Sequence, residues 1–143
     1  MKTTNLVCSE CHSTNTVDIK TANATIPCTQ CQADLDNPFP VEVTDESGTT
    51  HIMENDIPVL LDFYSTTCGP CMAMYEDYED AALPFGMKVR FLKINADKYQ
   101  SLARKYKVSA LPTIIAFDKG LEVSRMSKQL SQVELNLWAK SLL

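Results

Sequence analysis

Pro58-Val59-Leu60-Leu61-Asp62-Phe63-Tyr64 is a short, almost unbroken apolar run. Its length suits a strand buried on both faces. Residues 69 to about 83 read as a helix, and Val89–Ile94 as a second strand. Tyr99, Leu102, Ala103 and Tyr106 recur at i, i+3, i+4 and i+7, which predicts one face of a helix. Pro112–Phe117 is strand-like, Lys119-Gly120 marks a turn, and Leu121–Met126 reads as the next strand. Ser131-Gln132-Val133-Glu134 has the form of a capping box, and the helix it opens carries Leu135, Trp138 and Leu142 on one side. Upstream the signal is weaker, with Val41-Glu42-Val43 as a first strand and Thr49–Asn55 as a weak helix. The order from residue 58 onward is strand, helix, strand, helix, strand, strand, helix. That predicts an α/β layer with a mixed sheet.

The pattern changes before residue 38. Residues 1–36 are rich in Thr, Asn, Ser, Asp and Gln and hold few large apolar groups. Such a segment cannot bury enough surface to fold alone. Asp36-Asn37-Pro38-Phe39-Pro40 reads as a linker, since two prolines disfavour continued helix or sheet. The chain therefore divides into a small module, residues 1–37, and a main domain, residues 38–143.

Composition narrows the function. The 143 residues carry a formal net charge of -5, so nucleic acid phosphates and anionic lipid heads repel the chain, and neither is expected as a partner. Lys2 and Lys20 stand against Glu10, Asp18, Asp34 and Asp36, which leaves the front module without a basic face. No apolar stretch has the length of a signal peptide or a membrane span, which points to a cytoplasmic location. Stable disulfides are rare there. Six cysteines in such a chain call for metal, catalysis or both.

Those cysteines form three C-x-x-C pairs. Cys8/Cys11 and Cys28/Cys31 are separated by 16 residues, the spacing of a four-thiolate zinc site. Two residues between cysteines let a tight turn aim both sulfurs at one metal, and two such turns complete a tetrahedral shell. Four protein ligands leave no open position, so the zinc would be structural and would supply folding free energy that this polar segment lacks. Cys8-Ser9-Glu10-Cys11-His12 also matches the C-x-x-C-H haem attachment pattern, but haem leaves Cys28/Cys31 unexplained. Two disulfides, or four idle thiols, are the other readings.

The third pair, Cys68-Gly69-Pro70-Cys71, comes after the buried strand and opens a helix. Unpaired N–H groups and the positive dipole end there favour a thiolate at Cys68. Pro70 is tolerated because the first turn has no helical acceptors to serve. Cys71 sits one turn on, within reach of Cys68. Asp62 stands out separately, as a lone carboxylate inside an apolar strand.

In this order and spacing, Val59–Tyr64, Cys68–Cys71, Phe91–Asp97, Ala110-Leu111-Pro112-Thr113 and Asp118-Lys119-Gly120 resemble the thioredoxin family over roughly residues 41–143. With the front knuckles, the chain resembles the zinc-binding bacterial thioredoxin 2 group. The resemblance implies a thioredoxin fold, a mixed central sheet flanked by helices, preceded by a zinc-ribbon-like module. It implies a protein-disulfide reductase, with disulfide-bearing client proteins and a thioredoxin reductase as partners. Asp62 matches the buried family carboxylate behind the second cysteine, and Lys93 the lysine beside it. Pro112 matches the cis-proline opposite the active site. Thr67, Gly69, Pro70, Leu111, Pro112 and Ser127 fall on the implied substrate-facing surface.

The departures from the family pattern are Thr67 and Tyr64 where tryptophans are usual, Glu76 in place of a helix proline, and Ser127 in place of a loop glycine. They bear on partner choice and reduction potential more than on reaction type. An isomerase or oxidant on the same fold, or a non-catalytic zinc-ribbon adaptor, are the alternative functions. Glu76, Asp77, Glu79 and Asp80 read as a solvated helix face, and Met72 and Met74 as packing residues.

Overall fold

The computed structural model describes residues 3–18 and 25–143; Lys2 and Lys20, which bear on the charge of the front module, lie outside them. The front of the chain forms a two-stranded antiparallel hairpin, β1 (Thr4–Val7) and β2 (Thr14–Val17). The rest builds a five-stranded sheet from β3 (Val41–Val43), β4 (Val59–Tyr64), β5 (Arg90–Asn95), β6 (Thr113–Asp118) and β7 (Leu121–Met126). Its order is β3-β5-β4-β6-β7, with β3, β5 and β4 mutually parallel, β6 antiparallel to β4 and β7 antiparallel to β6. Four helices cover it: α1 (Asp45–Glu54), α2 (Gly69–Ala82), α3 (Ser101–Lys105) and α4 (Gln132–Ser141).

Strand alternation divides the core. Leu60, Phe91, Ile114 and Ala116 pack with Met74, Tyr78 and Ala81 of α2 and Leu135 and Ala139 of α4. Leu61, Phe63, Leu92, Ile94 and Ile115 pack on the other face with Ile52 of α1 and Leu102 of α3. β4 lies between β5 and β6, so its near-continuous apolar run is explained by burial on both faces. Asp62 shares the face of Leu60 and thus lies under α2.

Two helices differ from expectation. α1 begins at Asp45 rather than Thr49, because Thr44 caps it: its hydroxyl accepts from the Ser47 N–H at 3.1 Å while the Ser47 hydroxyl accepts from the Thr44 N–H at 2.9 Å. Gly48 looks like a breaker, yet it lets α1 close on its neighbours; a Cβ there would stand 2.8 Å from Leu102 Cδ1. α3 is a single short helix, with no side-chain cap at Gln100 and a left-handed Lys107 (φ 55°) just after it. Tyr99, Ala103 and Tyr106 still pack against the α1-side core. α4 opens on the predicted box, with the Ser131 hydroxyl accepting from Glu134 N–H.

Among the described residues the front segment shares its small core with the main sheet region. Leu6, Cys8, Cys28 and Leu35 share a cluster with Ile57 and Met87 from the main sheet region. Arg90, 1 % exposed, reaches across from β5 and donates to the carbonyls of Val7 (3.3 Å), Leu35 (3.4 Å) and Asn37 (3.3 Å). Burial lowers its guanidinium to about 10, still charged at neutral pH. His51 of α1 is fully buried beside it. Val7 N–H donates to Asn55 Oδ1 at 2.8 Å, which fixes the Asn55 amide. That amide then donates to His51 Nδ1 at 3.1 Å, so His51 Nε2 carries the proton and donates to His12 Nδ1 at 3.2 Å. Asp36–Pro40, read as a linker, is tied on both sides, with Asn37 bonded to Ser9 as well as to Arg90.

Candidate functional site

β4 delivers the third cysteine pair to the N-terminus of α2. Cys68 is the N-cap, and its sulfur accepts from the Cys71 N–H at 3.2 Å. Gly69 and Pro70 occupy the first turn and are exposed. Cys68 is partly exposed and Cys71 is 3 % exposed. The two sulfurs are joined as a disulfide, with Cα atoms 5.3 Å apart. The more exposed cysteine is therefore the one at the positive end of the helix, and the other is covered.

The loop before Cys68 is held by hydroxyls rather than by an aromatic ring. Buried Ser65 bonds Asp97 Oδ2 at 2.8 Å and the Thr67 hydroxyl at 2.9 Å, and its carbonyl accepts from Cys68 N–H at 3.3 Å. The Leu111–Pro112 peptide is cis. Pro112 is buried, and Thr113 beside it bonds Ser127 Oγ at 3.0 Å. Thr67 and Ser127 are exposed and Leu111 half-buried.

Behind the cysteines a cleft of about 240 Å³ leads to Asp62, lined among others by Glu42, Tyr64, Met72, Tyr75, Glu79 and Lys93. Asp62 is 6 % exposed, and its Oδ1 has no hydrogen-bond partner among the described residues. Burial pushes its carboxyl up to about 7; Lys93 opposes the rise and Glu42 adds to it. Asp62 and Lys93 are paired in the parallel register of β4 and β5. The Lys93 ammonium nevertheless bonds Glu79 at 3.2 Å and lies 4.3 Å from the centre of the Tyr75 ring. Glu79 is thus not part of a solvated acidic face, because it turns toward β5. Of the two methionines, Met74 packs fully, while Met72 is 40 % exposed at the cleft.

The other four cysteines converge at the front. Their sulfurs all lie within 4.8 Å of one another, with Cys8–Cys31 and Cys11–Cys28 each at 3.6 Å. Thiolates about 2.3 Å from a tetrahedral zinc stand roughly 3.8 Å apart, so the set fits that ion. Each knuckle is the same turn. Cys8 N–H donates to Ser13 O and Cys28 N–H to Ala33 O, while His12 N–H and Gln32 N–H return to the cysteine carbonyls. His12 (φ 62°) and Gln32 (φ 64°) take the left-handed conformation that closes the turns. Glu10 and Gln30 amides donate to the Cys8 and Cys28 sulfurs, and Asn15 adds a side-chain donor that draws Cys28 down to about 6. These donors favour thiolates. At Cys31 the Ala33 amide does the same, but desolvation and the crowding of the other three sulfurs outweigh it and push the thiol up to about 12, so all four become thiolates together only around a cation.

A family model described as Thioredoxin matches residues 39–141. Thioredoxin C-3 of Corynebacterium nephridii is 30% identical over 135 residues, 93% of this chain and 91% of that protein. The chloroplastic thioredoxin Y1 of Arabidopsis thaliana is 38% identical over 84 residues, 59% of this chain and 49% of that protein. The solved structure of a mutant thioredoxin from Halobacterium salinarum NRC-1 superposes with a TM-score of 0.69 at 27% identity, covering 77% of this chain and 96% of that one. This chain belongs to the thioredoxin family, a class of thiol-disulfide oxidoreductases, and it carries a four-cysteine cluster in front of the matched region that is placed to hold a metal ion. Among the described residues, no helix is long and apolar enough to cross a membrane.

Sequence reasoning missed Glu79, Arg90, His51 and Asn55. Arg90 carried the same signal as Asp62, a lone charge inside an apolar strand. Nothing local marks His51 or Asn55, whose partners lie 39 and 48 residues away.

Proposed function

We propose that the chain is a cytoplasmic protein-disulfide reductase working by dithiol-disulfide exchange, with residues 38–143 as the thioredoxin domain and residues 1–37 as a module holding one structural zinc through Cys8, Cys11, Cys28 and Cys31. The observation that carries the redox reading is the unequal pair at the start of α2. Cys68 is partly open and faces the helix dipole, and Cys71 is buried behind it, with Asp62, a buried carboxylate able to take up a proton, in the strand below.

The Cys68 thiolate attacks one sulfur of a client disulfide. The client S–S bond breaks, and the departing client sulfur takes a proton from water. Cys71 then gives its proton to Asp62 and attacks Cys68 Sγ. The mixed disulfide breaks, the second client sulfur leaves as a thiolate and takes up the proton held by Asp62, and the Cys68–Cys71 dithiol, now a disulfide, has given up the two electrons the client gained. By the family resemblance, a thioredoxin reductase drawing on NADPH returns the pair to the dithiol. Thr67, Gly69, Pro70, Leu111, Pro112 and Ser127 border the client. The zinc fixes the front knuckles and takes no part in exchange.

Insulin reduction with dithiothreitol as electron donor tests this. The wild-type chain accelerates precipitation of the insulin B chain, and Cys68→Ser lowers the rate to background, a loss of at least about a thousandfold in kcat/KM. Activity retained in Cys68→Ser excludes the reading.

A further inference from the structure

Two carboxylates compete for one cation in the cleft behind the cysteines. Lys93 faces Asp62 in the strand register, yet its ammonium bonds Glu79 at 3.2 Å and stacks on the Tyr75 ring. Both partners of this pair are largely covered, with side chains 14% and 27% exposed. Asp62 Oδ1 is left with no partner among the described residues. An ammonium has three donors, so where it points decides the charge of whichever acid it serves. Glu79 keeps contact with solvent, whereas Asp62 is covered, where a charge without a partner is costly.

We propose that Glu79 is a positioning residue: by holding the Lys93 ammonium it keeps that cation off Asp62, and so leaves the buried carboxyl able to carry a proton. Four strands and one helix surround Asp62. β3 presents Glu42, whose Oε1 accepts from the Tyr64 hydroxyl of β4 at 2.6 Å. α2 presents Tyr75, Tyr78 and Glu79, and β5 presents Lys93. The β6 residue in register with Asp62 is the uncharged Ile114. Lys93 is the one cation of this set among the described residues, so its direction outweighs the neutral phenols. The inference rests on the reading of Asp62 as the proton acceptor of the resolving step.

The test is a double-mutant cycle read by carboxyl NMR of Asp62 in the full, metal-loaded, reduced chain. Glu79→Gln releases Lys93, which swings to Asp62 and lowers its titration midpoint by about one pH unit or more. In a Lys93→Met background the same Glu79→Gln change moves the midpoint by less than half as much, because only the direct repulsion between the two acids is left. An unchanged midpoint in Glu79→Gln, or equal shifts with and without Lys93, overturns the proposal. Single-turnover release of a mixed disulfide is followed in parallel. If the midpoint moves through Lys93 while the pH profile of release stays put, Glu79 positions Lys93 as proposed, and it is the proton-acceptor role of Asp62 that fails.

Discussion

The molecule uses the same C-x-x-C spacing for two purposes, and the backbone beyond the second cysteine separates them. In the front knuckles the chain turns back at once through a left-handed residue, His12 or Gln32, and the backbone amides inside each turn point at sulfur. Two such turns face each other and put four sulfurs together. In the third pair the second cysteine lies in the first turn of a fourteen-residue helix, which separates a partly open cysteine from a buried one. Spacing brings two sulfurs into reach of each other. The local fold around them decides whether they share a cation or exchange electrons.

The two regions should therefore fail differently. Cys28→Ser removes one ligand, and a tetrahedral thiolate site contributes on the order of 10 kcal/mol to ordering a segment of this kind. The variant is expected to lose its zinc and to expose the amides of β1 and β2 to hydrogen exchange, while insulin reduction falls no more than a few-fold. Elemental analysis together with exchange mass spectrometry reads both. Full zinc retention, or activity lost in parallel with the metal, would erase the distinction drawn here.

Asp62→Asn acts on the redox region alone. The folded carboxyl is raised to about 7, against an unfolded value of about 3.9. As pH rises the unfolded chain gives up its proton first, so the native state loses stability from about pH 4 and levels off above about pH 7. The cost reaches about 4 kcal/mol, 1.36 for each of roughly three units. Asn keeps the shape without the charge. Wild type and variant should be equally stable at pH 3, and the variant more stable at pH 8, by chemical denaturation at each pH. A less stable variant at pH 8 would make Asp62 an ion-pair partner of Lys93 instead.

Arg90→Met tests the seam between the regions. It leaves the carbonyls of Val7, Leu35 and Asn37 without their donor, at a cost of about 3 kcal/mol. Urea denaturation should show that loss while the zinc content stays at one per chain. An unchanged midpoint would mean that the front module gains nothing from this buried cation.

Most of the sheet was legible in the sequence because its strands are short apolar runs flanked by turn residues. β4, β5, β6 and β7 each lie within one or two residues of expectation. The helix expected only from Thr49 begins at Asp45 because Thr44 caps it, and Gly48 within it allows close packing on Leu102. The sulfur pairs were legible through spacing. The contacts that join the front module to the sheet were not: Arg90 showed only as a lone charge in an apolar strand, and its partners, like those His51 and Asn55 find in the front module, lie 39 or more residues away. The same limit hid Glu79, whose acidic neighbours on α2 gave it the look of a solvated face.

The central claim is that one sulfur of six attacks clients, and trapping tests it most directly. Cys71→Ser leaves the Cys68 nucleophile without its resolving partner, so it should accumulate client proteins as mixed disulfides. Mass spectrometry of the adducts should place every linkage at Cys68, with none at Cys8, Cys11, Cys28 or Cys31, and Cys68→Ser should trap nothing. Adducts joined through Cys71 in Cys68→Ser at similar yield, or through the front cysteines in the metal-loaded chain, would contradict the account.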